Sequence, residues 1–135
     1  MGFFSENIFE SELQTSERRV SNRISAEDAF KVDFQTTSLI RISGIGSGKD
    51  ISATGMRFAT FAPLKKGEVL ETEIFFNEKF PGVKKVSLQM QVMRVYKPSG
   101  AKRYRVGIRF LESPRYKPEF EVVRQFIWWL QTQIL

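Results

Sequence analysis

The sequence predicts an all-β fold, an antiparallel barrel or sandwich, followed by one C-terminal helix. Short runs of apolar residues alternate with polar ones through the middle of the chain, as in strands with one buried face. Turn-forming stretches such as Lys97–Gly100 separate these runs. From Pro118 onward the apolar spacing changes to that of a helix. Strands joined by turns, then one helix, are typical of a small barrel or sandwich with an appended helix.

The alternation places each strand in turn. The predicted strands cover residues 30–42, 49–60, 69–76, 83–96 and 104–110. In the second of them Gly55 falls in the middle. Glycine and serine dominate residues 43–48, so this stretch is predicted to be a flexible connection.

The C-terminal helix has an apolar sector of nearly half its circumference, wider than the roughly 100° that packing on one core requires. Two rows form this sector: Phe120, Val123, Ile127, Leu130 and Ile134, and beside them Val122, Phe126 and Trp129. The favoured interpretation is that the helix closes one end of the barrel. The alternative is that part of the sector, with Trp128 outside both rows, contacts a partner or a second copy in a homodimer.

Composition restricts the chemistry. A chain of 135 residues fits one domain with an arm or extra helix. Without cysteine or histidine it has no disulfide, no cysteine-based zinc site and no histidine base, so we predict no metal, no cofactor and no enzyme activity. The net charge of +6 favours an anionic partner: nucleic acid, anionic lipid or a phosphorylated small molecule.

No apolar run reaches the roughly 20 residues of a spanning helix, and the first residues lack the pattern of a signal peptide. We therefore expect a cytoplasmic protein. Residues 1–16 are predicted to be an arm or short helix, residues 17–116 a barrel with a ligand-binding arm, and residues 117–135 a helix packed on it.

A first short motif, Glu17–Arg23, lies just ahead of the first predicted strand and contains Arg18, Arg19 and Arg23. A guanidinium group stays charged and donates several hydrogen bonds in a fixed geometry. It can clamp a phosphate or read the O6 and N7 edge of guanine. The plainer interpretation is a solvated basic arm.

A second motif runs from Asp50 to Gly55. On an extended chain Asp50 and Ser52 point to the same face. A carboxylate can accept hydrogen bonds from the N1 and N2 donors of guanine, and a hydroxyl can bond a phosphate. Gly55, without a Cβ, lets a base or phosphate approach the backbone. The plainer interpretation is a strand with a bulge at Gly55 and a polar outer face.

In this order, on a strand-rich chain of this size, the two motifs resemble those of the PilZ domain family. The match comprises the Arg-x-x-x-Arg motif that ends at Arg23 and the Asp-x-Ser-x-x-Gly motif that begins at Asp50. Val106–Phe110 is also similar to the closing strand of the family's barrel. The resemblance covers roughly residues 17–112, and it implies a six-stranded antiparallel barrel that binds the bacterial second messenger cyclic di-GMP.

The resemblance also implies roles for single residues. Arg19 and Arg23 grip guanine and phosphate from the arm, while Asp50, Ser52 and Gly55 hold the ligand from the barrel surface.

Arg18, just before the first motif arginine, implies an intercalated ligand dimer, that is, two ligands per chain. Ordering of the arm on binding is expected to relay the signal to a protein partner that the sequence does not name.

Two other functions fit parts of the sequence. A small basic barrel for single-stranded nucleic acid needs aromatic residues on its outer face, whereas most here alternate toward the core, and we expect no DNA binding. A PilZ-like adaptor that binds a protein and no nucleotide is favoured by the wide apolar sector of the terminal helix. Arg94, Arg105 and Arg109 are interpreted as solubilising charges in preference to a source of positive charge for the ligand site. Gly44–Lys49 lacks the spacing of a phosphate-binding loop.

Overall fold

The strands form a closed barrel with a helix at one end. The computed structural model describes residues 24–134, and the side-chain surroundings of residues 25–133. The strands are β1 (Ile24–Ser25), β2 (Phe30–Thr36), β3 (Ser43–Ile51), β4 (Gly55–Thr60), β5 (Val69–Phe76), β6 (Lys85–Tyr96) and β7 (Tyr104–Phe110). A 3₁₀ turn at Pro114–Tyr116 leads into the helix α1 (Lys117–Ile134).

All neighbouring strands of the barrel are antiparallel. Around the barrel the order is β3, β2, β5, β6, β7 and β4, and β4 pairs back with β3 to complete the ring. The short β1 extends the sheet beside the far end of β3, where Ile24 pairs with Ile51 and Ser25 with Asp50. The structure thus confirms the predicted fold class, a six-stranded antiparallel barrel with a C-terminal helix.

The barrel interior holds the core. Along β2, β5 and the first part of β6 every second residue is buried, as the predicted alternation requires. Phe58, Ile74 and Met90 are completely buried. Each large apolar side chain that leaves water in this way stabilises the fold by about 1.5–3 kcal/mol.

The glycine-rich stretch 43–48 is a barrel strand, so the prediction of a flexible connection was wrong. It forms most of β3 and pairs with both β2 and β4. A Cβ at Gly46 would lie 2.5 Å from the Phe58 ring, and one at Gly48 would lie 2.5 Å from the Phe30 ring. The glycines are therefore positions where aromatic side chains from other strands fill the space that a side chain would need.

Two other strand predictions need correction. The first strand stops at Thr36, and Leu39 and Ile40 lie fully exposed in the loop that follows it. The predicted single strand 49–60 is a hairpin, because the chain turns between Ile51 and Gly55. The strands at 69–76 and 104–110 have the predicted bounds, and the long strand starts at Lys85 instead of residue 83.

The helix α1 covers one end of the barrel. Phe126 is completely buried, and its ring contacts those of Phe30 and Phe76 at centroid distances of 6.3 and 4.4 Å. Most of the wide apolar sector faces the barrel, as the favoured interpretation holds, whereas Trp128 is 67% exposed. Within residues 24–134 no helix has the length and apolar character needed to cross a membrane.

We predict that Gly48→Ala destabilises the protein, because its Cβ would overlap three atoms of the buried Phe30 ring. The expected loss is about 1–3 kcal/mol in the free energy of unfolding, measured by urea denaturation. Gly107→Ala is the matched control, since its Cβ would have only ordinary contacts at 3.8 Å and should change stability by no more than about 0.5 kcal/mol. Equal stability of the two variants would contradict the packing account of β3.

Candidate ligand-binding site

The second motif of the sequence occupies the β3–β4 hairpin. Asp50 lies near the end of β3, Ser52 in the turn and Gly55 at the start of β4. The residues of the first motif, Arg18, Arg19 and Arg23, lie outside the described residues.

A β-bulge determines where Asp50 points. In the first part of β3, Gly46 and Gly48 face the core. The register with β4 then shifts between Gly48 and Asp50, so that Lys49 has no direct partner. The extra residue reverses the alternation, as bulges do. Ile51 consequently packs in the core, and Asp50 joins the outer face between Ser25 of β1 and Arg57 of β4.

Asp50 is held by an arginine on the neighbouring strand. The Nε atom of Arg57 donates a hydrogen bond of 2.6 Å to Oδ2 of Asp50, and the two side chains form an ion pair. The Asp50 side chain is only 9% exposed, whereas that of Arg57 is 45% exposed. The contact holds the largely covered carboxylate on the outer side of the sheet and leaves much of the guanidinium facing solvent.

Ser52 stabilises the turn of the hairpin. Its side chain is fully buried, and its hydroxyl accepts hydrogen bonds from the backbone N–H groups of Thr54 and Gly55, each at 3.3 Å. It also donates to the carbonyl of Gly55. This gives Ser52 a structural role in addition to the phosphate contact that the sequence predicts, and that contact stays a prediction.

Gly55 allows β4 to approach β7. A Cβ at this position would lie 2.2 Å from the carbonyl oxygen of Ile108 and 3.2 Å from the Cα of Arg109. Because these atoms are backbone of a paired strand, they cannot move aside for a side chain. The glycine is therefore required by the barrel itself, and its predicted contact with a ligand stays untested.

The outer face beside Asp50 is basic. From β4 across β7 to β6, Arg57 lies opposite Gly107, and Gly107 opposite Arg94. In the next row Ala59 lies opposite Arg105. Gly107 has no side chain, so it leaves an open position between Arg57 and Arg94. In the next row Tyr96 lies opposite Arg105, and the Arg94 guanidinium lies over the Tyr96 ring at 5.1 Å.

Sequence reasoning missed part of this surface. It favoured solubilising charges over a contribution to the ligand site for Arg94, Arg105 and Arg109, and it did not single out Arg57. Strand alternation puts such residues on an outer face. Their shared rows depend on the register and on a second bulge, between Val92 and Arg94, which one sequence does not reveal.

Lys49 and Glu27 extend the charged surface toward β1. The Lys49 ammonium donates a hydrogen bond to Glu27 and thereby lowers the pKa of that carboxyl group. The positive charges of Lys49 itself, Arg105 and Arg103 lower this pKa further. Cations from β3, β7 and the loop before β7 thus lie near the segment that follows β1.

The fold and this surface define a small barrel domain with a basic outer face beside a hairpin that carries an anchored carboxylate. The model of the PilZ domain matches residues 16–125, and the chain belongs to this family. A comparison with curated proteins found no match.

Solved structures share the fold. YcgR from Escherichia coli, in complex with c-di-GMP, is 21% identical, with a TM-score of 0.67 over 87% of this chain and 48% of that one. MrkH from K. pneumonia in its apo state is 16% identical, with a TM-score of 0.69 over 90% of this chain and 54% of that one. The Bacillus subtilis inhibitor of motility MotI/DgrA is 17% identical, with a TM-score of 0.61 over 93% and 56% of the two chains. The chain spans about half the length of these proteins.

We predict that Ser52→Ala destabilises the fold by about 1–3 kcal/mol, because it removes the hydroxyl that accepts from the N–H of Thr54 and from the buried N–H of Gly55. Urea denaturation measures the loss. Ser87→Ala, at an exposed position on β6, is the control and should change stability by no more than about 0.5 kcal/mol. Wild-type stability of Ser52→Ala would refute the structural role of this hydroxyl.

Proposed function

We propose that this chain is a receptor that binds cyclic di-GMP between the arginine motif before β1 and the hairpin at Asp50, and that it is not an enzyme. One observation carries the proposal. The pairing of β1 with the end of β3 brings Ser25 directly beside Asp50. The chain therefore enters the barrel at the second motif, with the first motif immediately before it in the sequence.

Chain length makes the two motifs compatible with one site. Arg23 is bonded to Ile24, which pairs with Ile51. Arg19 precedes Ile24 by five residues, a stretch that spans at most about 17 Å when extended. An arginine side chain adds further reach, so both guanidinium groups can contact a ligand that lies on Asp50. The alternative, two motifs on opposite sides of the barrel, is hard to reconcile with this entry point.

The chemistry of the hairpin suits a guanine base. In the proposed complex, the Asp50 carboxylate accepts hydrogen bonds from guanine N1 and N2, and the hydrogen bond from Arg57 holds it in position. Charge-assisted hydrogen bonds of this kind are among the stronger ones in proteins. Arg19 and Arg23 bind the phosphates and the acceptor edge of a guanine.

The arginines on the outer face of β4, β6 and β7 are proposed to attract the phosphodiester groups of the ligand. Each cyclic di-GMP has two negatively charged phosphodiesters, and an intercalated dimer has four. Arg94 and Arg105 lie on the same outer face as Arg57, and Gly107 leaves room between Arg57 and Arg94. These positive charges attract the phosphate groups that lie away from the guanine at Asp50.

The comparisons add support from outside the chain. Structures of YcgR and of MrkH, both similar in fold, contain c-di-GMP. Because their identity to this chain is at most 21%, they support the ligand through fold and family membership alone. The roles proposed for individual residues rest on the two sequence motifs and, for Asp50, on its position beside Ser25.

A relay to the helix is part of the proposal. Ala26, one residue after β1, belongs to the core, and α1 lies against β1. Phe30, which follows closely, contacts Phe126 of the helix. Ligand binding that orders the arm changes the restraint on β1, and the surface near the helix can then favour a protein partner by differential affinity.

Calorimetric titration with cyclic di-GMP tests the site. We expect micromolar or tighter binding to the wild type, and a loss of at least about tenfold in affinity for Arg19→Ala and for Asp50→Asn, since each removes a charged hydrogen-bond partner. Arg41→Ala, an exposed arginine in the β2–β3 loop, is the matched control and should bind as the wild type does. No heat with the wild type, or equal affinity for all three variants, would end the proposal.

The stoichiometry is a separate expectation. If Arg18 supports an intercalated dimer, the wild type saturates at two ligands per chain and Arg18→Ala at one. Native mass spectrometry of the saturated protein counts the ligands directly. A wild type that saturates at one ligand would refute the role of Arg18 while leaving the receptor function intact.

A further inference from the structure

Three loops meet at the end of the barrel opposite α1. They connect β2 to β3 (residues 37–42), β4 to β5 (residues 61–68) and β6 to β7 (residues 97–103). Strand pairing places them at one end, because Thr36 pairs with Leu70 and Thr60 pairs with both Gly46 and Tyr104. We call these three loops the loop end.

Large apolar side chains protrude from the loop end. Leu39 is fully exposed, Ile40 is 83% exposed and Phe61 is 70% exposed. In contrast, Leu64 of the same end is buried and closes the barrel from inside. The protruding residues therefore contribute little to the core. Exposed apolar groups lower solubility, and the fold does not need these three.

The β2–β3 loop presents its two aliphatic residues in a defined geometry. The backbone N–H of Thr36 bonds the carbonyl of Ile42 at 2.9 Å, and the N–H of Ile42 bonds the Thr36 hydroxyl at 2.9 Å. The Ser38 hydroxyl donates to the carbonyl of Ile40 at 2.9 Å. These hydrogen bonds fix the conformation of the loop from which Leu39 and Ile40 protrude.

The loop end is also strongly basic. It contains one carboxylate, Glu68, and six cationic residues: Arg41, Lys65, Lys66, Lys97, Lys102 and Arg103. The three loops thus have a net charge of +5, and the whole chain has a net charge of +6. Within residues 24–134, none of the six cations forms a salt bridge. Arg103 lies over the Phe61 ring at 5.9 Å, so charge and apolar surface are in direct contact there.

We propose that the loop end docks on an anionic lipid surface. Leu39, Ile40 and Phe61 enter the boundary between headgroups and acyl chains, and the lysines and arginines around them bind lipid phosphates. Apolar area and attraction to anionic headgroups are the two contributions that hold proteins at a membrane surface. Docking is peripheral, and it does not involve the proposed cyclic di-GMP site at the other end of β3.

The shape of the loop end favours lipid over other anions. Of the three protruding residues only Phe61 has a ring on which a base can stack, and Leu39 and Ile40 have none. They also protrude from a loop tip instead of lining a groove, whereas protein interfaces bury their anchors in complementary pockets. A fluid bilayer accepts protruding aliphatic residues without a preformed pocket.

Sedimentation with vesicles of phosphatidylcholine, with and without phosphatidylglycerol, tests the proposal. We expect the wild type to bind vesicles with phosphatidylglycerol and not those of phosphatidylcholine alone. K65Q/K66Q should weaken binding roughly 30-fold, since each cation near the surface contributes about fivefold. L39S/I40S should weaken it about tenfold through lost apolar contact.

A matched control separates this surface from the overall charge. K79Q/K117Q removes the same charge at the end of the barrel near α1 and should bind vesicles like the wild type. Urea denaturation midpoints equal to that of the wild type show that these variants are folded. Because this control does not use cyclic di-GMP, the experiment can fail independently of the receptor proposal.

Three outcomes would overturn lipid docking. The first is no binding of the wild type to vesicles with phosphatidylglycerol, and the second is equal weakening by K65Q/K66Q and K79Q/K117Q. The third is binding that L39S/I40S leaves unchanged. In that last case, a single-stranded oligonucleotide that competes with the vesicles would assign the loop end to nucleic acid.

Discussion

Closure of the barrel depends on the close approach of β3 to two phenylalanine rings. A Cβ at Gly46 or Gly48 would lie 2.5 Å from Phe58 or Phe30, a distance that real Cβ atoms do not show. Because both positions are glycine, β3 lies directly against the rings and pairs with β2 on one side and β4 on the other. Without β3 these two strands would expose unpaired edges, and the core beneath them would be open to water.

The same strand also positions the proposed ligand site. Directly after the second of these glycines, the bulge at Lys49 reverses the alternation, so that Ile51 completes the core and Asp50 reaches the outer face. Here β2 no longer pairs with β3, and β1 takes its place. The carboxylate, the entry of the chain and the start of the hairpin therefore coincide because of one irregularity in one strand.

The parts of the fold that sequence reasoning predicted are those with a periodic apolar pattern. β5, β7 and α1 have clear alternation or helical spacing, and their bounds were predicted within one residue. β3 was missed because glycine leaves no pattern of its own; the rings that fill its place belong to distant residues. Leu39 and Ile40 were assigned to a strand because apolar character alone does not distinguish a buried side chain from one that protrudes into solvent.

For the candidate site, the sequence identified the residue types but not their setting. Asp50 was predicted on an exposed strand face, and the structure puts it on the outer face by way of a bulge that one sequence does not reveal. The cations opposite each other across β4, β7 and β6 depend on register, which follows from turn and bulge geometry over the whole sheet. Short motifs can therefore be found in the sequence alone, whereas the surface that they form together depends on the strand register of the closed barrel.

The two ends of the barrel have different physical roles, and the two proposed contacts, with cyclic di-GMP and with lipid, lie at different ends. At one end, Phe126 of α1 packs on Phe30 at the start of β2 and on Phe76 at the end of β5. At the other end, Leu64 closes the core from within, and the residues that protrude beyond it are not needed for folding. The proposed cyclic di-GMP site therefore lies at the end of the barrel that supports the helix, away from the loop end. Because the proposed lipid contact and the proposed ligand contact share no residue, each can be removed by substitution without loss of the other.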